Sequence, residues 1–193
     1  REAVELTPAG ERHVESGFFR SAQDASALLY TGWAPGMLYV AGIVTDDELV
    51  ARHVDDRIYE DDCLELFWDL DGDGFRFDGN PQDVQLGLAP PSGPEGAGQL
   101  WAWGALKRRP EEVQAAVKRE GPRLFFEMGI PLALLPGVVA GAPVRFGLAY
   151  HDRDTDERDG KLHWSIDTAS VPGTILFGQM TLEPRPVEPA DAP

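Results

Sequence analysis

The strongest fold signal in the chain is the stretch Cys63-Leu64-Glu65-Leu66-Phe67-Trp68-Asp69-Leu70-Asp71-Gly72-Asp73-Gly74. Its first half is rich in the apolar and aromatic residues that β-strands favour. Its second half places aspartate at alternate positions and ends in glycine, which is typical of a tight loop. The sequence therefore predicts a buried strand that runs directly into an acidic turn.

Glu65 is the unusual residue of this strand, because apolar side chains flank it on both sides. Burial of a carboxylate is costly unless the group is paired or hydrogen-bonded. We therefore expect Glu65 either to face a groove or to have a polar partner.

The aspartates that follow the strand have the spacing of a Ca²⁺-binding loop. Asp69, Asp71 and Asp73 stand at alternate positions before Gly74, and carboxylate oxygens in a tight turn suit this cation. The loop lacks the distal glutamate of a helix–loop–helix site, since Asn80 stands there. The pattern predicts Ca²⁺ bound by the three aspartates, with a solvated Asp-Gly hairpin turn as the alternative.

A second acidic loop covers residues 152–159 and is a further candidate for Ca²⁺. Arg153 and Arg158 lie among its carboxylates, so pairing within the loop could neutralise it instead. Both interpretations stay open at the level of the sequence.

Short apolar or alternating segments on both sides of the central stretch predict further strands, separated by turns that contain Gly or Pro. They cover residues 27–33, 37–44, 83–88, 100–103, 112–120, 124–128, 144–150, 162–164 and 176–182. The one helical signal is a short turn at 130–135. Many short strands with almost no helix predict an all-β fold, an antiparallel β-sandwich.

Residues 1–182 are predicted to form this single domain, and the residues 183–193, rich in proline and acid, are predicted to form a linker or tail. The chain has 193 residues, of which 42% are hydrophobic, which suits one globular domain. Its net charge of -16 disfavours nucleic acid and anionic membranes as partners. No apolar run is long enough for membrane insertion. The single cysteine, Cys63, excludes an internal disulfide and is predicted to be a buried, inert thiol.

The strand order and the residues at its corners resemble the family 9 carbohydrate-binding modules, from about Leu29 to Leu182. The matching pieces are Leu38-Tyr39-Val40 before an acidic turn, Asp62–Phe67 followed by Asp69, Glu127–Pro131, Phe146-Gly147-Leu148 leading into Asp152-Arg153-Asp154, Trp164, and Leu176-Phe177-Gly178. The resemblance implies a secreted, non-catalytic domain at an extracellular or periplasmic location. No signal peptide is visible in this segment, which begins at Arg1, so we interpret it as a processed or excised piece.

In the sugar-binding members of that family, two aromatic side chains clamp a terminal sugar with help from polar residues. The resemblance places the first clamp at Tyr59, the glutamate at Glu65 and an arginine at Arg158. The second clamp residue is expected within 171–174, where this chain has no aromatic residue.

Other polar sugar contacts are expected at Gly87 and Ala149, so the predicted sugar site is incomplete. Trp101, Trp103 and Trp164 are candidates to replace the missing aromatic.

Three functions are consistent with the sequence, and none is enzymatic, because no nucleophile elbow, phosphate-binding loop or zinc motif is present. The first is weak carbohydrate binding through Tyr59, Glu65 and Arg158. The second is a structural or interaction domain whose partner is another protein or domain. The third is a haem-binding relative of the same sandwich, in which a methionine pairs with lysine or histidine. Its candidate ligands are Met37, Met128, Met180, His151, His163 and Lys161.

Overall fold

The computed structural model describes residues 3–9, 14–77, 80–92, 97–108, 110–154, 160–164, 166–168 and 175–184. Within these ranges the strands are β1 (Val4–Leu6), β2 (Val14–Gly17), β3 (Ala25–Ala34), β4 (Met37–Asp46), β5 (Cys63–Asp69), β6 (Asp83–Ala89), β7 (Gln99–Gly104), β8 (Gln114–Glu120), β9 (Arg123–Pro131), β10 (Pro143–Asp152), β11 (Gly160–Trp164), β12 (Ile166–Thr168) and β13 (Ile175–Thr181). The helical elements are short 3₁₀ turns at Asp55–Glu60, Ala105–Arg108, Pro110–Glu112 and Leu132–Leu134. No helix in the described ranges is long and apolar enough to cross a membrane.

The strands form two antiparallel sheets, which confirms the prediction of a β-sandwich with little helix. The five-stranded sheet has the order β1-β3-β4-β9-β8. The eight-stranded sheet has the order β12-β13-β10-β5-β6-β7, with β11 beside β10 and β2 beside β11. The strand predicted at 37–44 is β4, in the middle of the first sheet, and the strands predicted at 112–120 and 124–128 pair as the hairpin of β8 and β9.

The main core lies between the two sheets and follows the alternation of side chains along each strand. Trp68 and Phe146 are the large aromatic residues of its eight-stranded side, with ring centroids 5.2 Å apart. On the five-stranded side Phe126 belongs to this core, whereas its neighbour Phe125 points the other way and is only partly buried.

The outer face of the eight-stranded sheet is also covered, so that all seven residues of β5 are buried. One small apolar cluster on this face contains Phe67, Phe75, Ala149 and Phe177. Burial raises the pKa of the Cys63 thiol well above its usual value, which supports the prediction of an inert cysteine.

A second apolar cluster on the same face contains Ile58, Cys63 and Ala89, with Trp101 and Trp103 packed against it. Ile58 comes from the 3₁₀ turn Asp55–Glu60, which the sequence did not reveal. The outer face is therefore covered by two segments, the connection between β4 and β5 and the loop between β5 and β6.

The adjacent carboxylates of Asp61 and Asp62 stabilise the connection between β4 and β5. Asp61 accepts a hydrogen bond from the backbone N–H of His53 at 2.6 Å. Asp62 accepts the backbone N–H of Val50 at 2.5 Å and that of Arg153 at 2.8 Å. Because both side chains are almost completely buried, these bonds fix the course of the connection.

Asp62 meets two further buried carboxyl groups where the two sheets join at one end, and we call the three the buried acid cluster: Asp46, Asp62 and Asp152. Each offers one oxygen within 4.8 Å of the others, and all three residues are 0% exposed. Asp46 also accepts the hydroxyl of Tyr150 at 2.6 Å, which links the two sheets. Burial raises the pKa of Asp46 to about 7 and, together with the charge of Asp46, that of Asp62 to about 9.

These pKa shifts predict that, in the presence of chelator, the free energy of unfolding falls as the pH rises from 5 to 8. The folded state holds protons that the unfolded chain, with ordinary aspartate pKa values, has already released, so a higher pH favours unfolding. Each such group contributes up to about 1.4 kcal/mol per pH unit. Urea denaturation at several pH values measures the slope.

Asp46→Asn should flatten this slope, because the amide keeps a carbonyl oxygen for the local hydrogen bonds and cannot bind the extra proton. The control is Glu48→Gln, an exposed carboxylate two residues away, which should leave the slope unchanged. A wild-type stability that is constant or increases across this pH range would contradict the assignment of protonated carboxyl groups.

Candidate functional site

A pocket of about 560 Å³ opens on the outer face of the eight-stranded sheet, between the two covering segments. This volume is within the range of about 300–1,000 Å³ that is typical of small-molecule sites. The lining residues are Asp56, Tyr59, Glu65, Phe75, Arg76, Phe77, Asn80, Asp83, Gln85, Trp103, Gly104, His151 and Lys161.

The floor of the pocket is a hydrogen-bonded set of polar side chains around Glu65. Glu65 Oε1 accepts a hydrogen bond from Gln85 Nε2 at 2.7 Å, and Oε2 lies 2.5 Å from His151 Nε2. Glu65 is 3% exposed and His151 is 2% exposed. The expectation that Glu65 would face a groove or find a partner is confirmed on both counts.

Glu65 carries its negative charge despite its burial. Burial by itself raises its pKa, but the charge and hydrogen bond of His151, the charge of Lys161 and the hydrogen bond from Gln85 outweigh it, so that the pKa of Glu65 lies below its usual value. An ionised carboxylate only accepts hydrogen bonds, so His151 Nε2 carries the hydrogen of the pair. Each carboxylate oxygen still has a second lone pair for a ligand hydroxyl.

One wall of the pocket consists of Tyr59 and Trp103, whose ring centroids are 6.2 Å apart in an edge-to-face arrangement. Tyr59 belongs to the 3₁₀ turn Asp55–Glu60, and Trp103 Nε1 donates to the carbonyl oxygen of Asp56 in the same turn at 3.2 Å. Trp103 lies over Gly87, where a Cβ atom would be 2.7 Å from the indole ring. Because Gly87 has no side chain, the indole ring of Trp103 can lie directly against the strand.

Aromatic residues of the loop between β5 and β6 form another part of the lining. Phe75 is buried and packs against Phe67, with centroids 5.4 Å apart. Phe77 contacts Phe75 at a centroid distance of 5.1 Å and is 63% exposed. Lys161 Nζ lies 5.8 Å from the centroid of Phe67 and lines the same pocket.

The structure brings two of the three predicted sugar-binding residues, Tyr59 and Glu65, to this one pocket. The third, Arg158, lies outside the described residues, as does the segment 171–174. Of the three candidate replacement aromatics, Trp103 lines the pocket, Trp101 packs against the Ile58 cluster, and Trp164 packs against the main core.

Sequence reasoning missed Gln85, His151 and Phe77. Gln85 and His151 each stand two residues along the same strand from Gly87 and Ala149, the positions where polar contacts were expected. Residues i and i+2 of a strand share one face. The alternation pattern could therefore have identified Gln85 and His151 as neighbours of the expected positions. Phe77 lies in a loop, where no such pattern exists.

The acidic loop brings together Asp69, Asp71 and Asp83, each with one oxygen within 4.8 Å of the others. The predicted third ligand, Asp73, is not in this set, and Arg76 Nη2 lies 3.8 Å from its carboxylate. Burial raises the pKa of Asp83 to about 6, with a further contribution from the charge of Asp69.

The second acidic loop is described as far as Asp154. This carboxylate pairs with Arg20, which also contacts Asp24 at 2.7 Å. Arg153 Nη1 lies 3.5 Å from Asp61, so an arginine from this loop neutralises a carboxylate elsewhere. The residues 155–159 lie outside the described part.

Four of the six candidate haem ligands lie on opposite faces of the eight-stranded sheet. Met128 and Met180 belong to the core between the sheets, whereas His151 and Lys161 line the pocket on the outer face. These two faces offer no common site for a methionine paired with His151 or Lys161.

Comparison with known proteins agrees with this architecture. A structure of a family 9 carbohydrate-binding module from Caldicellulosiruptor kristjanssonii in complex with cellotriose is similar over 98% of this chain and 89% of that chain, with a TM-score of 0.68 and 17% identity. The structure from the same organism in complex with glucose is similar over 98% and 88%, with a TM-score of 0.67 and 18% identity. No curated protein sequence matches the chain. Residues 7–185 match the model of the family described as carbohydrate family 9 binding domain-like, and the chain belongs to this family.

Proposed function

We propose that this domain binds carbohydrate in the pocket on the outer face of the eight-stranded sheet. The observation that carries the proposal is the combination of aromatic rings from two separate segments with an ionised, hydrogen-bonded carboxylate at the floor. A pyranose ring has an apolar face and a rim of hydroxyl groups, and it needs both kinds of contact.

Each group has a role that follows from its chemistry. Tyr59, Trp103 and Phe77 supply flat apolar area for the face of a sugar ring at low entropic cost. Glu65 accepts hydrogen bonds from sugar hydroxyls, and a charged acceptor makes a stronger bond than a neutral one. Lys161 adds a donor to the same pocket.

Glucose and cello-oligosaccharides are the first ligands to test, because the two similar structures contain glucose and cellotriose. Part of the binding energy offsets the lost freedom of a small ligand. We expect dissociation constants on the order of millimolar to high micromolar.

The domain acts as a non-catalytic module outside the cytoplasm, and Ca²⁺ bound by the acidic loop stabilises it. Family membership supports the non-catalytic role and the location outside the cytoplasm. The carboxylates that begin at Asp69 support the binding of Ca²⁺. If the domain binds no sugar, the alternative is an interaction module that has kept the fold.

Tyr59→Ala, Trp103→Ala and Phe77→Ala should each weaken sugar binding by about tenfold or more. A buried aromatic side chain is worth roughly 1.5–3 kcal/mol, and 1.4 kcal/mol is a factor of ten in affinity. Isothermal titration with glucose, cellobiose and cellotriose measures the effect, and a glycan array extends the search.

The matched control is Tyr39→Ala, which removes a tyrosine of similar exposure, 45% against 36% for Tyr59, from the five-stranded sheet. It should bind sugar like the wild type. Absence of binding to every glycan, or binding that survives all three pocket substitutions, would favour the interaction module.

Glu65→Gln should weaken sugar binding by about 5- to 30-fold, the difference of roughly 1–2 kcal/mol between a charge-assisted and a neutral hydrogen bond. Glutamine is a sharper test than alanine, which would leave His151 and Gln85 without their buried acceptor. Glu127→Gln, an exposed change on the other sheet, is the control. Undiminished affinity in Glu65→Gln, measured by the same titration, would remove Glu65 from the site.

A further inference from the structure

Two cationic side chains lie on the same side of the pocket, around the aromatic residues of its loop wall. Lys161 Nζ lies 5.8 Å from the centroid of Phe67. Phe75 and Phe77 pack against the same ring, at centroid distances of 5.4 and 6.3 Å. Arg76 stands between these two phenylalanines in the chain. Because Arg76 and Lys161 both line the pocket, two positive charges flank the same part of it.

The backbone of Arg76 is fixed, whereas its guanidinium has no close acidic partner among the described residues. The backbone N–H donates to Asp83 Oδ2 at 2.8 Å. The carboxylate that approaches Nη2 is that of Asp73 at 3.8 Å, too far for a hydrogen bond, and the Arg76 side chain is 40% exposed. The chain contains 33 acidic residues against 17 basic ones. Because so acidic a chain leaves this guanidinium without a close carboxylate in its described part, the five N–H donors are available to an anionic ligand.

Three carboxylates also line the pocket, but they leave this side of it positive. The charge of Glu65 is compensated by His151, whose Nε2 lies 2.5 Å from Oε2. Asp83 is 3% exposed, so a ligand meets the more exposed guanidinium first. Asp56 belongs to the 3₁₀ turn of the opposite wall. The pocket is therefore asymmetric, with positive charge on the side of the loop between β5 and β6.

We propose that the pocket prefers acidic sugars, and that Arg76 and Lys161 bind the carboxylate of a uronic acid. This inference rests on the proposed function, because the aromatic rings and Glu65 hold the rest of the sugar. A planar guanidinium matches a carboxylate with two parallel hydrogen bonds, which are stronger than bonds between neutral groups. The carboxylate of a uronic acid projects from the rim of the ring, so the face of the ring stays available for stacking.

The net charge of -16 opposes an anionic ligand only weakly at physiological ionic strength. In 0.15 M salt, charges more than about 8 Å apart are largely screened. The groups that line the pocket therefore decide the preference between charged and neutral sugars.

Titration with D-glucuronate and D-glucuronamide tests the preference, because the amide keeps the shape of the carboxylate and removes its charge. In 0.15 M NaCl the protein should bind glucuronate about fivefold or more tightly than glucuronamide. In 1 M NaCl, where the screening length falls to about 3 Å, this ratio should approach one. NMR chemical shifts follow both titrations at the weak affinities expected for single sugars.

Arg76→Gln and Lys161→Met should each reduce the ratio by about threefold or more, because each removes one of the two cations. The matched control is Arg119→Gln, which removes an exposed arginine from β8 of the other sheet and should keep the ratio of the wild type. Melting curves check that the variants fold. The dependence on salt tests the wild type without any substitution.

Glucose, titrated under the same conditions, separates this inference from the proposed function. Equal affinity for glucuronate and glucuronamide, or a preference that survives both Arg76→Gln and Lys161→Met, would overturn the assignment to acidic sugars. Binding of glucose in that case would leave the proposed function intact. If none of the three sugars bound and a glycan array was also negative, the proposed function would fail together with this inference.

Discussion

Burial of strand β5 on both faces is the constraint on which this structure depends. A strand in a two-layer sandwich ordinarily exposes one face to water. Here the connection before β5 and the loop after it fold back over the outer face, and each brings aromatic residues with it. Any polar side chain on that face must then find partners, which is why Glu65 is paired with His151 and Gln85. The pocket is the space that remains between the two covering segments.

The sequence predicted the sandwich because alternation and turn residues are local properties. It predicted Tyr59 through the family resemblance, and Glu65 both through that resemblance and because apolar residues flank this carboxylate. It named Trp103 as one of three candidate aromatics, and the choice among them depends on the register of β7 against β6, which places the indole over Gly87. Asp83 escaped for a similar reason: it follows Asp69 by fourteen positions in sequence and faces it only once the strands pair.

Aromatic rings lie above glycine at two places on the outer face of the sheet. Phe177 lies over Gly147 as Trp103 lies over Gly87, and an added Cβ atom at Gly147 would be 2.3 Å from the phenylalanine ring. Small residues on the sheet thus let large side chains lie close to the backbone. The polar contacts at Gln85 and His151 stand beside these positions rather than at them.

The buried acid cluster has a consequence for the dynamics of the domain. Asp46 belongs to the five-stranded sheet, and its bond to Tyr150 joins that sheet to the other. This end of the sandwich is therefore held by buried carboxyl groups whose protonation depends on pH, whereas apolar side chains form the main core between the sheets. Local opening, the transient separation that amide exchange detects, should begin at this end in alkaline solution and spread from there toward the connection that carries Tyr59.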